Sequence, residues 1–328
     1  MTESKTLYET QLPKKYIASI DALRIFALVA IVIGHVYTNN ETLDRLIQSW
    51  RLPIFFMLSG YFWSGHRSVG QEASKRWHAL LVPYLWWLAI IGMVSLLVRV
   101  LIDLSSIRNA VQGVLLGGSD AERPLTTFWF FTALFFSTVI YRALSKFPSW
   151  VRLSGVAAGL VANMLAGHEL ALVPLSAATA LGALVFLEAG RALRALQGKF
   201  ADGVLFAVAV GFLALAAAIL LTMEDFIPVD MKSGEFPPAA VGVAILIGGS
   251  LMIAATAAPD IPQRVGHVLA KVANGSLAVI ILHPFILWML RPEASSIPLS
   301  VVASVAFLIP LGGGSCCPAH GFPKHYWE

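Results

Sequence analysis

The chain reads as an all-α, polytopic transmembrane bundle of about ten spans with both termini on the cytoplasmic side. Three observations predict this. First, 57% of the 328 residues are hydrophobic and 13% are charged, against about 25% charged in a soluble domain. The mean hydropathy of +0.75 agrees. Second, the apolar residues fall in stretches of about 20, the length a helix needs to cross the hydrocarbon layer. Third, lysine and arginine alternate between the ends of successive stretches, as the positive-inside rule requires of a correct span count. With a cytoplasmic N-terminus, 15 lie on the inner segments, from Lys5 to Lys324. Six lie outside: Arg45, Arg51, Arg108, Arg123, Lys232 and Arg291.

In order, residues 1–16 are polar and read as a cytoplasmic N-terminal segment, followed by a transmembrane domain over 17–314. The stretch after residue 16 is too long for a signal-peptide core and reads as a retained span, 17–38. The next spans are expected at 46–64, 79–101 and 126–144. Spans 150–167 and 169–188 form a tight pair turning at Gly167-His168-Glu169. Spans at 203–222, 238–257, 267–290 and a short 297–314 complete the count. The longer outer loops are 102–125 and the acidic, turn-rich 223–237. Residues 315–328 break abruptly from the apolar pattern and carry both cysteines, Cys316 and Cys317, which are adjacent. That spacing makes neither a disulfide framework nor a metal site. The net charge of +4 has no polar domain to sit on, so nucleic acid is not an expected partner.

The first span carries Asp21, Arg24 and His35. At about 100° and 1.5 Å per residue, Arg24 and His35 differ by about 20° around the axis and about 16 Å along it. Asp21 lies one turn before Arg24 on nearly the same face. Ionisable groups at such depth cost several kcal/mol unless they are paired or line a wet cavity, so they are functional candidates. The bland reading is a structural Asp21–Arg24 pair with His35 at the interface; the shared face of all three favours function. Ser59 and Gly60 in "RLPIFFMLSGYFW" read as a close-packing site. Lys75, Arg76 and His78 open the third span, where basic residues serve as topology signals. The aromatic run "TTFWFFTALFF" (126–136) reads as interface belt or core. In "GSLAVIILHPFILWML" (275–290), His283 sits mid-span and Pro284 frees a backbone carbonyl.

Together these segments resemble the acyltransferase 3 family of integral-membrane acyltransferases. The carriers are Arg24 and His35 with ten residues between them, "IDALRIFALVAIVIGHV", "RLPIFFMLSGYFW", "TTFWFFTALFF" and "SLAVIILHPFIL", in that order over residues 17–290. Many members carry two arginines three apart at the start of the third span; here Arg76 is followed three later by Ala79.

The resemblance implies an integral, multi-pass enzyme of a bacterial inner membrane. Its reaction would move an acyl group, by default acetyl from acetyl-CoA, to a hydroxyl of a sugar, glycan or lipid-linked acceptor. Acyl-CoA is then a substrate and no cofactor stays bound; the partners are acyl-CoA, the acceptor and membrane lipids. Arg24, Lys75 and Arg76 near the inner face suit the CoA phosphates. His35 suits a base that takes the hydroxyl proton or a transient acyl carrier. Asp21 would position Arg24, and His283 would orient His35 or the acceptor. Two other classes stay open on the residues alone. A secondary transporter would use the same buried charges and would show internal repeats without thioester turnover. A scaffold would keep every activity after His35→Ala.

Overall fold

The computed structural model describes residues 14–38, 40–102, 107–257, 261–290 and 297–313. The expected segments 1–16 and 315–328 lie almost wholly outside them. The described chain is all helix apart from turns and one isolated bridge, Asp230–Glu235.

Helix α1 (Lys14–Val36) is followed by α2 (Glu41–Arg51), α3 (Pro53–Tyr61) and α4 (Val69–Arg76). A π-helical turn, Trp77–Leu81, joins α4 to α5 (Val82–Ile102). Then come α6 (Ile107–Leu116), α7 (Trp129–Leu144), α8 (Ser149–Ala171), α9 (Thr179–Gly182) and α10 (Leu184–Gln197). The remainder is α11 (Asp202–Thr222), α12 (Pro238–Ala257), α13 (Gln263–Asn274), α14 (Ser276–Leu290) and α15 (Leu299–Gly313).

By length and composition, five helices can cross a membrane, or seven if each of two bent pairs is one span. The five are 18–36, the continuous 69–102, α8, α11 and α12. The bent pairs are Pro174–Gly182 with α10, at 47°, and α13 with α14, at 52°. Helix α7 and Leu299–Leu311 are apolar but shorter. All ten expected stretches therefore contain helix, and five of them are single helices of spanning length.

Two expected boundaries are corrected. The stretch 46–64 is two short helices that meet at Leu52, because Pro53 lacks the N–H that would continue α2 and instead starts α3. The turn expected at Gly167-His168-Glu169 lies inside α8, which runs on to Ala171 with one non-helical residue, Ala166. The chain reverses at Pro174 through Leu175 and Ser176, both at positive φ.

Packing separates lipid-facing from buried helices. Helix α5 exposes Trp86, Met93, Leu97 and Leu101, as a helix bathed in hydrocarbon does. Helices α1 and α12 are mostly buried instead. The tightest approach is α3 on α10. A Cβ on Gly60 would lie 1.9 Å from the Leu187 carbonyl oxygen, and one on Gly190 would lie 1.8 Å from that of Met57. Small residues permit this backbone contact where the hydrophobic effect gives no drive between helices. Ser59 is buried beside Gly60 and donates to the Phe55 carbonyl of its own helix at 3.0 Å. The run 126–136 is core: Phe128, Trp129, Phe130 and Phe131 are all buried. At one end of the bundle the loop 223–237 folds inward, burying Phe226, Val229, Met231 and Phe236.

Candidate active site

The polar stripe on α1 faces the protein interior. Leu28 and Ile31, which lie between its members, are buried. Arg24 donates from Nη1 to Asp21 Oδ1 at 3.2 Å and from Nη2 to Ser276 Oγ at 3.4 Å. It thereby ties α1 to the bend between α13 and α14.

About 16 Å further along α1, His35 meets His283 of α14. Their ring centroids are 5.1 Å apart and the planes are inclined by 53°. His283 is fully buried. Its Nδ1 lies 2.7 Å from the Val279 carbonyl oxygen. A carbonyl only accepts, so Nδ1 carries the proton and a neutral ring keeps its lone pair on Nε2. That Nε2 is buried with no hydrogen-bond partner. Proline sets the local register: Pro284 has no N–H for the carbonyl of Ile280, four residues back. Thr127 supplies the donor, its Oγ1 reaching Ile280 O at 2.7 Å. The carbonyl expected to be freed by Pro284 is thus satisfied from the chain just before α7.

Three cations surround this pair. Arg123 donates from Nη2 to the His35 carbonyl at 3.1 Å. Arg51 lies across Gly34, where a Cβ would come within 1.3 Å of its Nη1, and donates to Ala30 O at 3.5 Å and to Gln48 Oε1. Lys232 donates from Nζ to Ala121 O at 2.7 Å and to Thr126 Oγ1 at 3.2 Å. Burial of Lys232 in the loop 223–237 pushes its ammonium below the usual lysine range. All three act electrostatically on His35. In the sequence all three stand only as outer topology charges. No spacing joins residues from three separate segments; the one signal was that Arg51 opens the second-span motif.

The opposite end of the bundle holds a second cluster. Glu72, 1% exposed, accepts from Arg76 at 2.9 Å, Arg142 at 3.1 Å and Arg67 at 3.5 Å. Lys75 lies in the same field. Glu188 accepts two bonds from Arg152, at 2.9 and 3.1 Å, and one from the Tyr141 hydroxyl. Beside these networks opens a cavity of about 290 Å³, lined by Trp63, Gly65, Arg142, Ser145, Lys146 and Arg191. Arg142 packs over the Trp63 ring at 4.0 Å. Arg142 Nε and Arg191 Nη1 are buried without partners.

The fold therefore brings together His35 with His283, and Arg24 with Asp21. Arg76 and Lys75 belong to the Glu72 cluster, built from α4 and α7, whereas Arg24 sits on α1 against α14. Arg142 and Arg191, which line the cavity, were read only as inner topology charges.

Comparison with known proteins adds the family. A family model described as an acyltransferase domain matches residues 17–315. Nodulation protein NolL of Mesorhizobium japonicum (strain LMG 29417 / CECT 9101 / MAFF 303099) is 24% identical over 173 residues. That match covers 48% of this chain and 43% of NolL, so the chain spans less than half the length of this curated relative. No solved structure matches.

Proposed function

Since the chain belongs to the acyltransferase 3 family, we propose that this membrane acyltransferase moves an acetyl group from acetyl-CoA to a hydroxyl of a sugar, glycan or lipid-linked acceptor. The observation that carries the reading is the pairing of half-buried His35 with fully buried His283, contributed by two helices distant in sequence, with ring centroids 5.1 Å apart. Ionisable side chains at such depth are costly unless paired or lining a wet cavity, and are functional candidates by default.

In the proposed reaction His35 takes the proton of the acceptor hydroxyl as its oxygen attacks the thioester carbonyl. The C–S bond breaks, the new C–O ester bond remains, and the proton passes from His35 to the departing CoA sulfur. His283 orients His35 and shares its proton through the unpartnered Nε2. A positioned base of this kind contributes roughly 10²–10⁴-fold. Negative charge developing on the carbonyl oxygen falls in the field of Arg51 and Arg123, which is the electrostatic arrangement acyl transfer needs.

The donor's phosphates suit the cationic end of the bundle. Lys75 and Arg76 contribute there, and the cavity beside Trp63 adds Arg142, Lys146 and Arg191. The two carboxylates are already engaged by Arg67, Arg76, Arg142 and Arg152, which leaves positive charge for a polyanion. Helix α3, which runs from beside Arg51 toward Trp63, is 9 residues long, roughly 14 Å at 1.5 Å per residue, a distance the pantetheine arm of CoA can cover. Arg24, held by Asp21, lies along that path and is proposed to steady the arm or the thioester. The cavity end is proposed to be cytoplasmic and the His35 end external, with ten crossings and both termini inside, in a bacterial inner membrane.

The test is isotopic. Purified protein in lipid vesicles receives acetyl-labelled acetyl-CoA and a membrane and glycan extract, and products are identified by mass spectrometry. Label in an O-ester of a glycan or lipid supports the reading. No label beyond spontaneous hydrolysis, with a verified fold, contradicts it.

A further inference from the structure

The cations around His35 pose an electrostatic problem. Arg51 is 5% exposed, and its Nε has no partner. Its other nitrogens meet a backbone carbonyl and an amide oxygen. Lys232 likewise meets a carbonyl and a hydroxyl, both neutral. Among the described residues no carboxylate forms an ion pair with either. Asp44 and Asp230 act on Arg51, and Asp120, Glu122 and Asp230 on Lys232, only at longer range. The Asp230 carboxylate is itself occupied by Ser233 Oγ at 2.6 Å and the Lys232 backbone N–H at 3.1 Å.

Burying a guanidinium such as that of Arg51 without an adjacent acid is destabilising. The fold nonetheless builds the arrangement from three segments. Gly34 leaves room for the Arg51 guanidinium where any side chain would collide with it. Arg123 is directed onto the His35 backbone itself. The unpartnered Nε2 of His283 lies in the same buried region.

We propose that Arg51, Arg123 and Lys232 form an anion subsite beside the histidine pair, and that the acceptor carries an oxyanion group, phosphate or carboxylate, near its accepting hydroxyl. This rests on the acyltransferase reading for the word acceptor; the anion site itself does not. Two guanidinium groups and an ammonium match a tetrahedral or planar oxyanion and would hold a sugar by that group with its hydroxyl toward His35. A phosphate-linked glycolipid and an acidic sugar share this chemistry.

The experiment measures binding without turnover. The full chain in nanodiscs of zwitterionic lipid, with CoA filling the donor cavity, is titrated calorimetrically with methyl glucoside, methyl glucuronide and glucose 1-phosphate. At least one anionic probe should bind about tenfold or more tightly than the neutral one. Lys232→Gln and Arg51→Gln should each remove most of that preference, and Arg264→Gln, exposed on α13, should leave it intact. A preference for the phosphate points to a phosphate-linked acceptor, and one for the glucuronide to an acidic sugar. Should Arg51→Gln fail to fold, Lys232→Gln alone decides. Equal binding of charged and neutral probes, no anion binding, or a preference untouched in Lys232→Gln overturns the proposal. Acetyl-CoA turnover is assayed on the same samples. Anion preference without turnover would leave the subsite standing and remove the acyltransferase reading; turnover without preference would do the reverse.

Discussion

Thr127 shows how a single hydroxyl supports the site. Its Oγ1 is the donor for Ile280 O, the carbonyl that Pro284 leaves without its helical partner. Thr127→Val keeps the shape and removes the donor, leaving a buried carbonyl unsatisfied at a cost of about 1–3 kcal/mol. Thermal unfolding in detergent should show this loss, and Thr127→Ser should restore most of it. Arg24 makes a matching case. Asp21→Asn keeps a hydrogen-bond acceptor but removes the charge, so the KM for acetyl-CoA should rise while the fold persists; an unchanged KM would detach Asp21 from the donor path. At this scale much of the candidate site was legible. Asp21, Arg24, His35 and His283 stand out because an ionisable group in an apolar stretch is conspicuous. Arg51, Arg123, Arg142 and Arg191 were not legible as site residues. Each lies near a span end, where a basic residue is expected for topology, and only the fold turns them inward.

Among the elements, α3 and α10 are fixed by two glycines. Gly190→Ala would drive its Cβ to 1.8 Å from Met57 O, so one helix must shift. Overpacking of this kind costs about 1–3 kcal/mol, and less folded protein should survive gel filtration. Gly211 on α11 is the control: a Cβ there meets nothing within 4 Å, so Gly211→Ala should be neutral or gain about 0.5–1 kcal/mol from helix propensity. Equal behaviour of the two would mean that α3 and α10 do not pack as described. Hydrophobic stretches located most helices, but α4 lies outside every expected span and α6 occupies the expected outer loop 102–125, and the breaks within spans were less visible. Pro53 was in plain view inside an expected span, but apolar length outweighed it. The reversal after Ala171 was misread because Gly167 resembled a turn residue; its lack of a side chain serves instead a backbone approach to Gly234, whose carbonyl oxygen would lie 2.0 Å from a Cβ there.

For the whole molecule, the proposed transfer needs two chemically different ends: a cationic cavity at one and a histidine pair under a folded loop at the other. Composition and charge alternation made the membrane class and an all-helical fold legible, because hydrocarbon tolerates few other backbones. Which helices surround which was not, since contacts such as Arg24–Ser276 and Thr127–Ile280 span more than 150 residues. The polarity of the two ends can be tested with Lys146→Cys and Glu224→Cys, both exposed, in a chain whose Cys316 and Cys317 are serine. In cells an impermeant maleimide should label position 224 directly and position 146 only after permeabilisation. Labelling of both from one side would contradict the arrangement.

The central claim is that His35 and His283 perform the transfer. Its most direct test is the single-turnover rate of acetyl-CoA cleavage by wild type, His35→Gln and His283→Gln in vesicles supplied with the acceptor extract. Folding of all three is verified by thermal unfolding. The account predicts a loss of about 10²-fold or more for His35→Gln and a smaller loss for His283→Gln, with donor affinity little changed. A wild-type rate in His35→Gln would contradict it.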